Sequence, residues 1–360
     1  MTGSLAALLA LANCAGAPPG TGGSAPAFRV FQFPADAIPR IDGDTSDWDM
    51  VGKDYAITTA ALAADDGSGR RPDPKSLDVN VRVGWVKGLN RLYFIYEARD
   101  DYWNFGAPGL TNDIFELVVD GDRSGGPLIG RFQPDLAPED AWFNFQNIHA
   151  QNYHIFTPAG DKDWAMAWGP QAAWIKQLPY SNIAYRYGFK PGQAGKLVVE
   201  FWITPFDRAD PEGPAKSVET QLSEDKLIAM AWAVIDDDGP SGKRGFWNLS
   251  PHHTMYGQAS QLCPFRLMPL EPALRKPIAA DWSFRILDRK LRTVAFHDDS
   301  AGATGWKWDF GDGQTSTEQH PVHRYADAGK FVVTLAVSGP AGTAKLSKVW
   351  DVSFTGDPAK

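Results

Sequence analysis

"LDVNVRVGWV", at residues 77–86, alternates apolar and polar side chains over most of its length. This period of two indicates a half-buried β-strand, because successive side chains of a strand point to opposite faces. No sustained helical period is present, apart from short stretches near residues 205–226. The sequence therefore predicts an all-β protein whose main body is a large β-sandwich. Further runs rich in strand-forming residues are RLYFIYEAR (91–99), DIFELVVD (113–120), KLVVEFWIT (196–204) and LIAMAWAVID (227–236).

Composition limits the classes of partner. The chain has 360 residues, of which 43% are hydrophobic, so it is long enough for a large core and for two domains. Its net charge is −8, and no run of five like charges occurs, so neither a nucleic-acid footprint nor a basic membrane-surface patch is indicated. The 14 tryptophans are suited either to core packing or to flat platforms for sugar rings.

A proline-punctuated segment, PLEPALRKPIAADW at 269–282, separates two regions that both alternate strands and turns. Domain boundaries usually fall in such segments. We therefore predict a large domain at 28–270, a linker at 271–279 and a small domain at 280–355.

The N-terminus, residues 1–27, has the pattern of an export signal followed by a flexible tether. Residues 5–12 are apolar over the length of a signal-peptide h-region, although no lysine or arginine precedes them. The stretch LANC resembles the lipobox of bacterial lipoproteins, which implies lipidation at Cys14. We expect a secreted or outer-surface protein whose contact with a membrane, if any, is made through this anchor.

Several residues of the C-terminal stretch at 305–342 can be assigned structural roles from their pattern. Its sequence is GWKWDFGDGQTSTEQHPVHRYADAGKFVVTLAVSGPAG. Trp308 and Phe310 alternate into a core, while Asp309 and Asp312 can accept hydrogen bonds from backbone amides in a turn. The stretch resembles the PKD domain, which implies a small immunoglobulin-like β-sandwich. Such a domain is scaffolding and offers a surface for a protein partner.

Four stretches of the large domain form a recognisable pattern, RIDGDTSDWDMV (40–51), NDIFELVVDGDRSGG (112–126), LVVEFWITPFD (197–207) and LIAMAWAVIDDDGPSGKRGFWNLS (227–250). Through these stretches the domain resembles the family 9 carbohydrate-binding modules and their DOMON-like relatives. The resemblance implies a secreted, non-catalytic β-sandwich that binds a polysaccharide or an oligosaccharide.

The loop after residues 113–120 is the first candidate metal site. Asp120, Asp122 and Ser124 alternate and present oxygens of the type that bind hard cations, so we predict structural calcium there. The family 9 resemblance also implies calcium. An EF-hand is excluded, because no glutamate follows at the twelfth position, so a bidentate carboxylate would have to come from elsewhere in the fold. A solvated hairpin turn is the alternative. The acidic turn at 236–238 is similarly open between solvated charge and a cation.

The sugar site is implied by the family 9 resemblance. In that family two tryptophans sandwich a sugar, and the later one aligns with Trp247. Leu110 and Thr111 occupy the place of the earlier one, so Trp103 is the candidate substitute. Core packing is the alternative role for both tryptophans. The ligand-binding residues predicted in this way are Trp103, Glu116, Lys243, Arg244, Trp247 and Asn248. The aromatic-rich insertion at 131–177 is either core cover or a second binding surface.

A catalytic constellation is not recognisable in the sequence. The GxSxG, HExxH, phosphate-loop and dinucleotide patterns are absent, and the carboxylate pairs lie in strand contexts. We therefore predict a non-catalytic, exported glycan-binding protein with calcium-stabilised loops. The alternatives are a structural or adhesion protein that has lost sugar binding, and an accessory part of a polysaccharide-degrading system.

Overall fold

Over the described residues, the regular elements are β-strands and short 3-10 helices, which confirms the predicted all-β class. The chain divides between Pro269 and Leu270 into two compact units. Within the described ranges, no helix is long and apolar enough to cross a membrane. The computed structural model describes residues 27–35, 37–106, 110–126, 137, 148–167, 170–239, 244–275 and 277–354.

The N-terminal unit is built from strands β1 to β15. They are β1 (Phe28–Phe33), β2 (Ile57–Thr58), β3 (Ala63–Ala64), β4 (Leu77–Val86), β5 (Leu92–Asp100), β6 (Ile114–Asp120), β7 (Gln151–Phe156), β8 (Ala165–Ala167), β9 (Ser181–Arg186), β10 (Gly195–Ile203), β11 (Phe206–Arg208), β12 (Val218–Glu219), β13 (Leu227–Asp237), β14 (Arg244–Asn248) and β15 (Cys263–Leu267). Short 3-10 helices lie at Thr45–Trp48, Lys53–Tyr55, Thr59–Ala61, Pro170–Lys176, Pro214–Lys216, His253–Tyr256 and Ala259–Gln261.

Two sheets share β1. Sheet I has the order β9-β10-β5-β4-β1, and sheet II has the order β1-β15-β13-β6-β7-β8. Strand β14 also pairs with β13, and β3 pairs with β14. Residues 28–30 pair in parallel with β15, whereas residues 31–33 pair in parallel with β4. Gly84 permits this switch, because a β-carbon there would lie 2.2 Å from the ring of Phe33. Strand β1 therefore closes one side of the sandwich.

The core of this unit fills the space between the two sheets. In β4 the alternate residues point inward, as the period of two predicted, and they meet the inward side chains of β6 and β13. Phe94 and Phe201 stack with centroids 4.7 Å apart, and Phe115 lies 5.8 Å from Trp232. A large β-sandwich is thus confirmed as the main body of the chain.

The C-terminal unit is a smaller sandwich of two sheets. A 3-10 helix at Pro272–Leu274 precedes the strands, which are β16 (Trp282–Asp288), β17 (Thr293–Asp298), β18 (Gly305–Asp309), β19 (Thr315–Ser316), β20 (Val322–Arg324), β21 (Gly329–Gly339) and β22 (Gly342–Phe354). The sheets have the orders β16-β17-β20 and β19-β18-β21-β22.

The core of the C-terminal unit contains the aromatic residues of the predicted turn region. Trp308 and Phe310 are buried in it, as predicted from their alternation. The buried hydroxyl of Tyr325 donates a hydrogen bond of 3.1 Å to the carbonyl of Phe310.

Candidate functional site

Three aspartates meet at one end of the large sandwich, and we call them the acidic cluster. Asp100 is the last residue of β5 in sheet I, Asp113 directly precedes β6, and Asp236 lies near the end of β13. One carboxylate oxygen from each lies within 4.8 Å of the others. The antiparallel pairing of β6 with β13 brings the start of one strand to the end of the other, and the facing sheet supplies Asp100. The topology therefore collects three acids that are distant in sequence.

The hydrogen bonds of the acidic cluster are unevenly distributed. Asp113 accepts from the backbone N–H of Asn104 at 2.6 Å and of Asp237 at 2.8 Å, one bond to each oxygen. Asp100 Oδ1 accepts from the N–H of Tyr102 at 3.1 Å. Within the part of the chain that is described, Asp100 Oδ2 and Asp236 Oδ1 are buried without a donor. Such oxygens are available to a metal ion.

Burial is the main cause of the raised pKa values of the three aspartates in the cluster. It raises the pKa of Asp113 to about 9, although hydrogen bonds from two backbone amides oppose the shift. Burial, reinforced by the charge of Asp236, raises the pKa of Asp100 to about 7. Burial also raises the pKa of Asp236 to about 6, against the hydrogen bond from Trp247. The three groups therefore resist carrying full charge together.

A second group of acids extends the cluster toward solvent. Oxygens of Asp100, Asp101 and Asp238 also lie within 4.8 Å of one another, and Asp101 is exposed. Asp100 belongs to both groups. The site thus extends from a buried inner part, next to the buried Tyr96, to a solvent-exposed outer part.

Trp247 lies next to the acidic cluster. It belongs to β14, which pairs with β13 so that Trp247 is opposite Val234. Its half-buried indole packs against the core between the sheets and covers Gly245, where a β-carbon would lie 2.2 Å from the indole Nε1. Nε1 donates a hydrogen bond of 3.2 Å to Asp236 Oδ2. The predicted platform residue is therefore anchored at the acidic end of the sandwich.

Arg244 lies on the other face of β14. Its guanidinium is 4.8 Å from the ring centre of Phe246, and it donates a hydrogen bond of 2.8 Å to the carbonyl of Leu110. Arg244 Nε is 3.7 Å from a carboxylate oxygen of Asp237. Arg244 is exposed, so it remains accessible to a ligand. Lys243 lies outside the described residues.

Asn248 and Glu116 do not join Trp247, which corrects the predicted grouping. Neighbouring residues of a strand point to opposite faces, so Asn248 lies on the face of sheet II that is turned away from the indole. Glu116 is in the same cross-strand row as Asn248, through Ala233. Both side chains are buried. Glu116 Oε1 accepts from Asn152 at 2.9 Å and is 3.0 Å from His154 Nε2, so it serves an internal network.

Trp103 is not a platform in this fold. Its indole is 1% exposed and stacks on Phe189 with centroids 5.1 Å apart. Its Nε1 donates to the carbonyl of Gly195 at 3.0 Å. The alternative of core packing therefore holds for Trp103. The sequence could not show this role, because the partner ring, Phe189, is distant from Trp103 along the chain.

The predicted calcium loop contains a pair of interacting carboxyls. Asp120 is fully buried, and its Oδ2 accepts from the N–H of Gly125 at 2.9 Å. Asp122 Oδ1 accepts from the N–H of Ser124 at 2.9 Å. Burial and a hydrogen bond with Asp122 raise the pKa of Asp120 to about 7. Among the residues the structure describes, no third histidine, cysteine or acidic residue completes a cluster here. The loop stays a predicted calcium site.

The aromatic insertion is only partly described. Tyr153 stacks on Trp164 with centroids 6.2 Å apart, and Trp174 lies 5.1 Å from Phe206. These rings pack against the main core, so this part of the insertion is core cover. The remainder, including Trp168, and the predicted lipidation site Cys14 lie outside the described residues.

The sequence interpretation missed Asp100 and Asp113 as candidate metal ligands. A weak signal was present in the sequence, because Asp100 closes one apolar strand pattern and Asp113 opens another. The pattern could not show that these two ends meet. The acidic turn containing Asp236 was recognised, but its partners were not.

Comparison with known proteins identifies the C-terminal unit. Residues 278–353 match the family model of the PKD domain, which confirms that prediction. Collagenase ColQ1 of Bacillus cereus is 41% identical over 51 residues, which are 14% of this chain and 5% of the collagenase. The chain therefore spans a small fraction of the length of that relative.

Solved structures similar to this chain come from both families that the sequence resembles. A family 9 carbohydrate binding module from Caldicellulosiruptor kristjanssonii, in complex with cellotriose, has a TM-score of 0.43 and 12% identity. The similarity covers 69% of this chain and 98% of that module. The PKD1 domain of Vibrio anguillarum Epp is 27% identical with a TM-score of 0.20, covering 22% of this chain and 99% of that domain.

Proposed function

We propose that this protein is an exported, non-catalytic glycan-binding protein whose saccharide site is at the acidic end of the large sandwich. The observation that carries the proposal is the position of Trp247, a half-buried indole held by a hydrogen bond to Asp236. A fixed aromatic plane beside polar groups is the arrangement that sugar rings need, since their apolar faces stack and their hydroxyls require hydrogen-bond partners.

The polar groups near this indole suit hydroxyl recognition. Asp236 and Asp237 offer carboxylate acceptors on the last residues of β13, and the exposed Asp101 adds another across the acidic cluster. Such acceptors favour a neutral saccharide over an acidic one, because an anionic sugar would be repelled. We therefore expect a neutral polysaccharide or oligosaccharide as the ligand.

The test is a panel of neutral polysaccharides bound to the full chain and to the Trp247→Ala variant. Loss of a stacked indole removes about 1 to 3 kcal/mol, so affinity should fall roughly tenfold or more. Trp306→Ala is the matched control, because Trp306 is also half-buried and donates to an aspartate, Asp298, at 2.7 Å, in the C-terminal unit. Unchanged affinity in Trp247→Ala contradicts this site.

A second candidate function is a structural or adhesion role without sugar binding. The burial of Trp103, Glu116 and Asn248 favours it, because three of the predicted ligand residues are committed to internal packing. The same panel separates the two functions. A wild-type chain that binds none of the polysaccharides, with or without calcium, supports the second candidate and rejects the first.

Export with a lipid anchor and calcium stabilisation complete the proposal. The apolar run at 5–12 followed by Cys14 supports the anchor. The wild-type chain should partition into detergent when expressed in a lipoprotein-processing host, and Cys14→Ser should stay in the aqueous phase. Equal partitioning of the two forms contradicts lipidation. For calcium, the buried carboxylate of Asp120 and the neighbouring carboxylate of Asp122 support the proposed loop site.

A further inference from the structure

The acidic cluster places like charges together without visible compensation. Asp100 and Asp113 are buried, and Asp236 is half-buried. Buried charges in proteins are normally paired or bound to a metal, since an isolated buried ion is strongly destabilising. Among the described residues, none of the three forms an ion pair with lysine or arginine. If the three carboxylates are charged, their negative charge is therefore not balanced by any lysine or arginine among the described residues.

An unpartnered oxygen provides a second, independent observation. Asp100 is 1% exposed, and within the described ranges its Oδ2 is buried without a hydrogen-bond donor. Buried carboxylate oxygens of folded proteins are nearly always hydrogen-bonded or bound to an ion. This oxygen belongs to a side chain whose carboxylate faces those of Asp113 and Asp236 within 4.8 Å. Among the described residues, Asp236 Oδ1 is also buried without a hydrogen-bond donor.

We infer that Asp100, Asp113 and Asp236 bind one divalent cation, and that the cation is calcium. The ligands are all carboxylate oxygens, which hard cations prefer. Two oxygens bound to one calcium at about 2.3 to 2.6 Å lie at most about 5 Å apart, and those of the acidic cluster meet this limit. Magnesium requires shorter bonds, at about 2.0 to 2.1 Å, in near-ideal octahedral geometry. Asp101 and Asp238 lie where they can supply further oxygens.

The ion links parts of the sandwich that backbone hydrogen bonds do not join directly. Asp100 belongs to sheet I, whereas Asp113 directly precedes β6 and Asp236 belongs to the neighbouring strand β13 of sheet II. A cation between them ties the two sheets together at this end. It also fixes Asp236, and through Asp236 the indole of Trp247. The effect on saccharide binding rests on the proposed function, but the cation site does not.

Protonation is the competing way to relieve the repulsion. Burial raises the pKa of Asp113 to about 9 and that of Asp100 to about 7, so without a cation the cluster retains protons near neutral pH. A protonated cluster has no need of metal. The two explanations differ in an observable way, because a site built for a cation binds added calcium and a proton-sharing site does not.

The experiment is calorimetric titration of calcium chloride into the chelator-treated full chain that carries Asp122→Asn. This substitution removes a carboxylate from the 120–124 loop, the other candidate calcium site, so the acidic cluster is tested by itself. We expect saturable binding in this protein. Adding Asp100→Asn should weaken the binding roughly tenfold or more, because one charged ligand is lost. Adding Asp225→Asn is the matched control, because this exposed aspartate lies just before β13, at the end of the strand opposite Asp236. No binding by the Asp122→Asn chain, or the same affinity with and without Asp100→Asn, overturns the inference.

Thermal unfolding keeps the result interpretable if a variant is perturbed. In chelator, adding Asp100→Asn to the Asp122→Asn chain should leave the melting temperature unchanged or raise it, because the substitution removes repulsion in the cluster. Calcium should raise the melting temperature of Asp122→Asn and of its Asp225→Asn control, since a ligand of the folded state stabilises it by mass action. It should leave the chain with both Asp122→Asn and Asp100→Asn nearly unchanged. An equal calcium-induced rise in all three proteins contradicts the assignment.

Discussion

Trp247 Nε1 donates a hydrogen bond of 3.2 Å to Asp236 Oδ2, so the indole proposed to bind a sugar is held by a member of the acidic cluster. The two residues belong to paired strands, in which Asp236 is opposite Gly245. Because Gly245 has no side chain, the indole can lie along the strand and reach the carboxylate. The proposed binding of a sugar at Trp247 would therefore be coupled to the state of the acidic cluster through this hydrogen bond.

We predict that Asp236→Ala weakens saccharide binding more than Asp236→Asn does. The alanine removes the acceptor of the indole N–H, whereas the asparagine amide oxygen can retain it. A hydrogen bond to a charged group contributes about 1.5 to 3 kcal/mol, so affinity for the best polysaccharide should fall roughly tenfold in the alanine variant. Titrations in excess chelator remove any contribution from a cation. Equal affinities of the two variants contradict this coupling.

Trp103→Ala should destabilise the large unit by about 3 to 5 kcal/mol, as expected for a buried tryptophan. The variant loses the stack on Phe189 and leaves the carbonyl of Gly195 without its donor. Urea unfolding of the full chain measures the loss. Trp103→Phe keeps a ring against Phe189 and should lose less. A near-native free energy of unfolding combined with lost saccharide binding would return Trp103 to a ligand-binding role.

The strands and the sandwich could be predicted from the sequence, because burial on one face leaves a period of two, as in residues 77–86. The same rule separates Trp247 from Asn248, but the family resemblance grouped them as one site. The acidic cluster could not be predicted, because Asp100, Asp113 and Asp236 meet only through strand order and sheet packing. The switch of β1 between two sheets likewise depends on nonlocal pairing.

Tyr325→Phe should destabilise the C-terminal unit locally by about 1 to 2 kcal/mol. The substitution removes the hydroxyl that donates to the carbonyl of Phe310 and leaves this buried acceptor unsatisfied. Hydrogen exchange followed by mass spectrometry can assign the change to peptides of β18 and β20. Peptides of β5 and β13, in the large unit, provide the internal control. Unchanged exchange in the C-terminal peptides contradicts a structural role for this hydroxyl.

The acidic cluster also determines how stability depends on pH when no cation is bound. The pKa values of Asp236, Asp100 and Asp113 are raised from 3.8 to about 6, 7 and 9. A group whose pKa is raised by folding binds its proton more tightly in the folded state. Its contribution to stability is therefore fully present below the unfolded value and is lost as the pH rises through the folded value.

We therefore predict that, in excess chelator, the melting temperature of the large unit falls as the pH is raised from about 5 to about 9. Asp100→Asn should show a shallower fall, because one raised group is gone and the charge that opposes ionisation of Asp113 is removed. Saturating calcium should flatten the profile of the wild-type protein, since a bound cation favours the charged carboxylates. Melting curves of both proteins across this range, with chelator and with calcium, provide the measurement. A wild-type melting temperature that is constant or rises with pH in chelator contradicts the assignment of raised pKa values to this cluster.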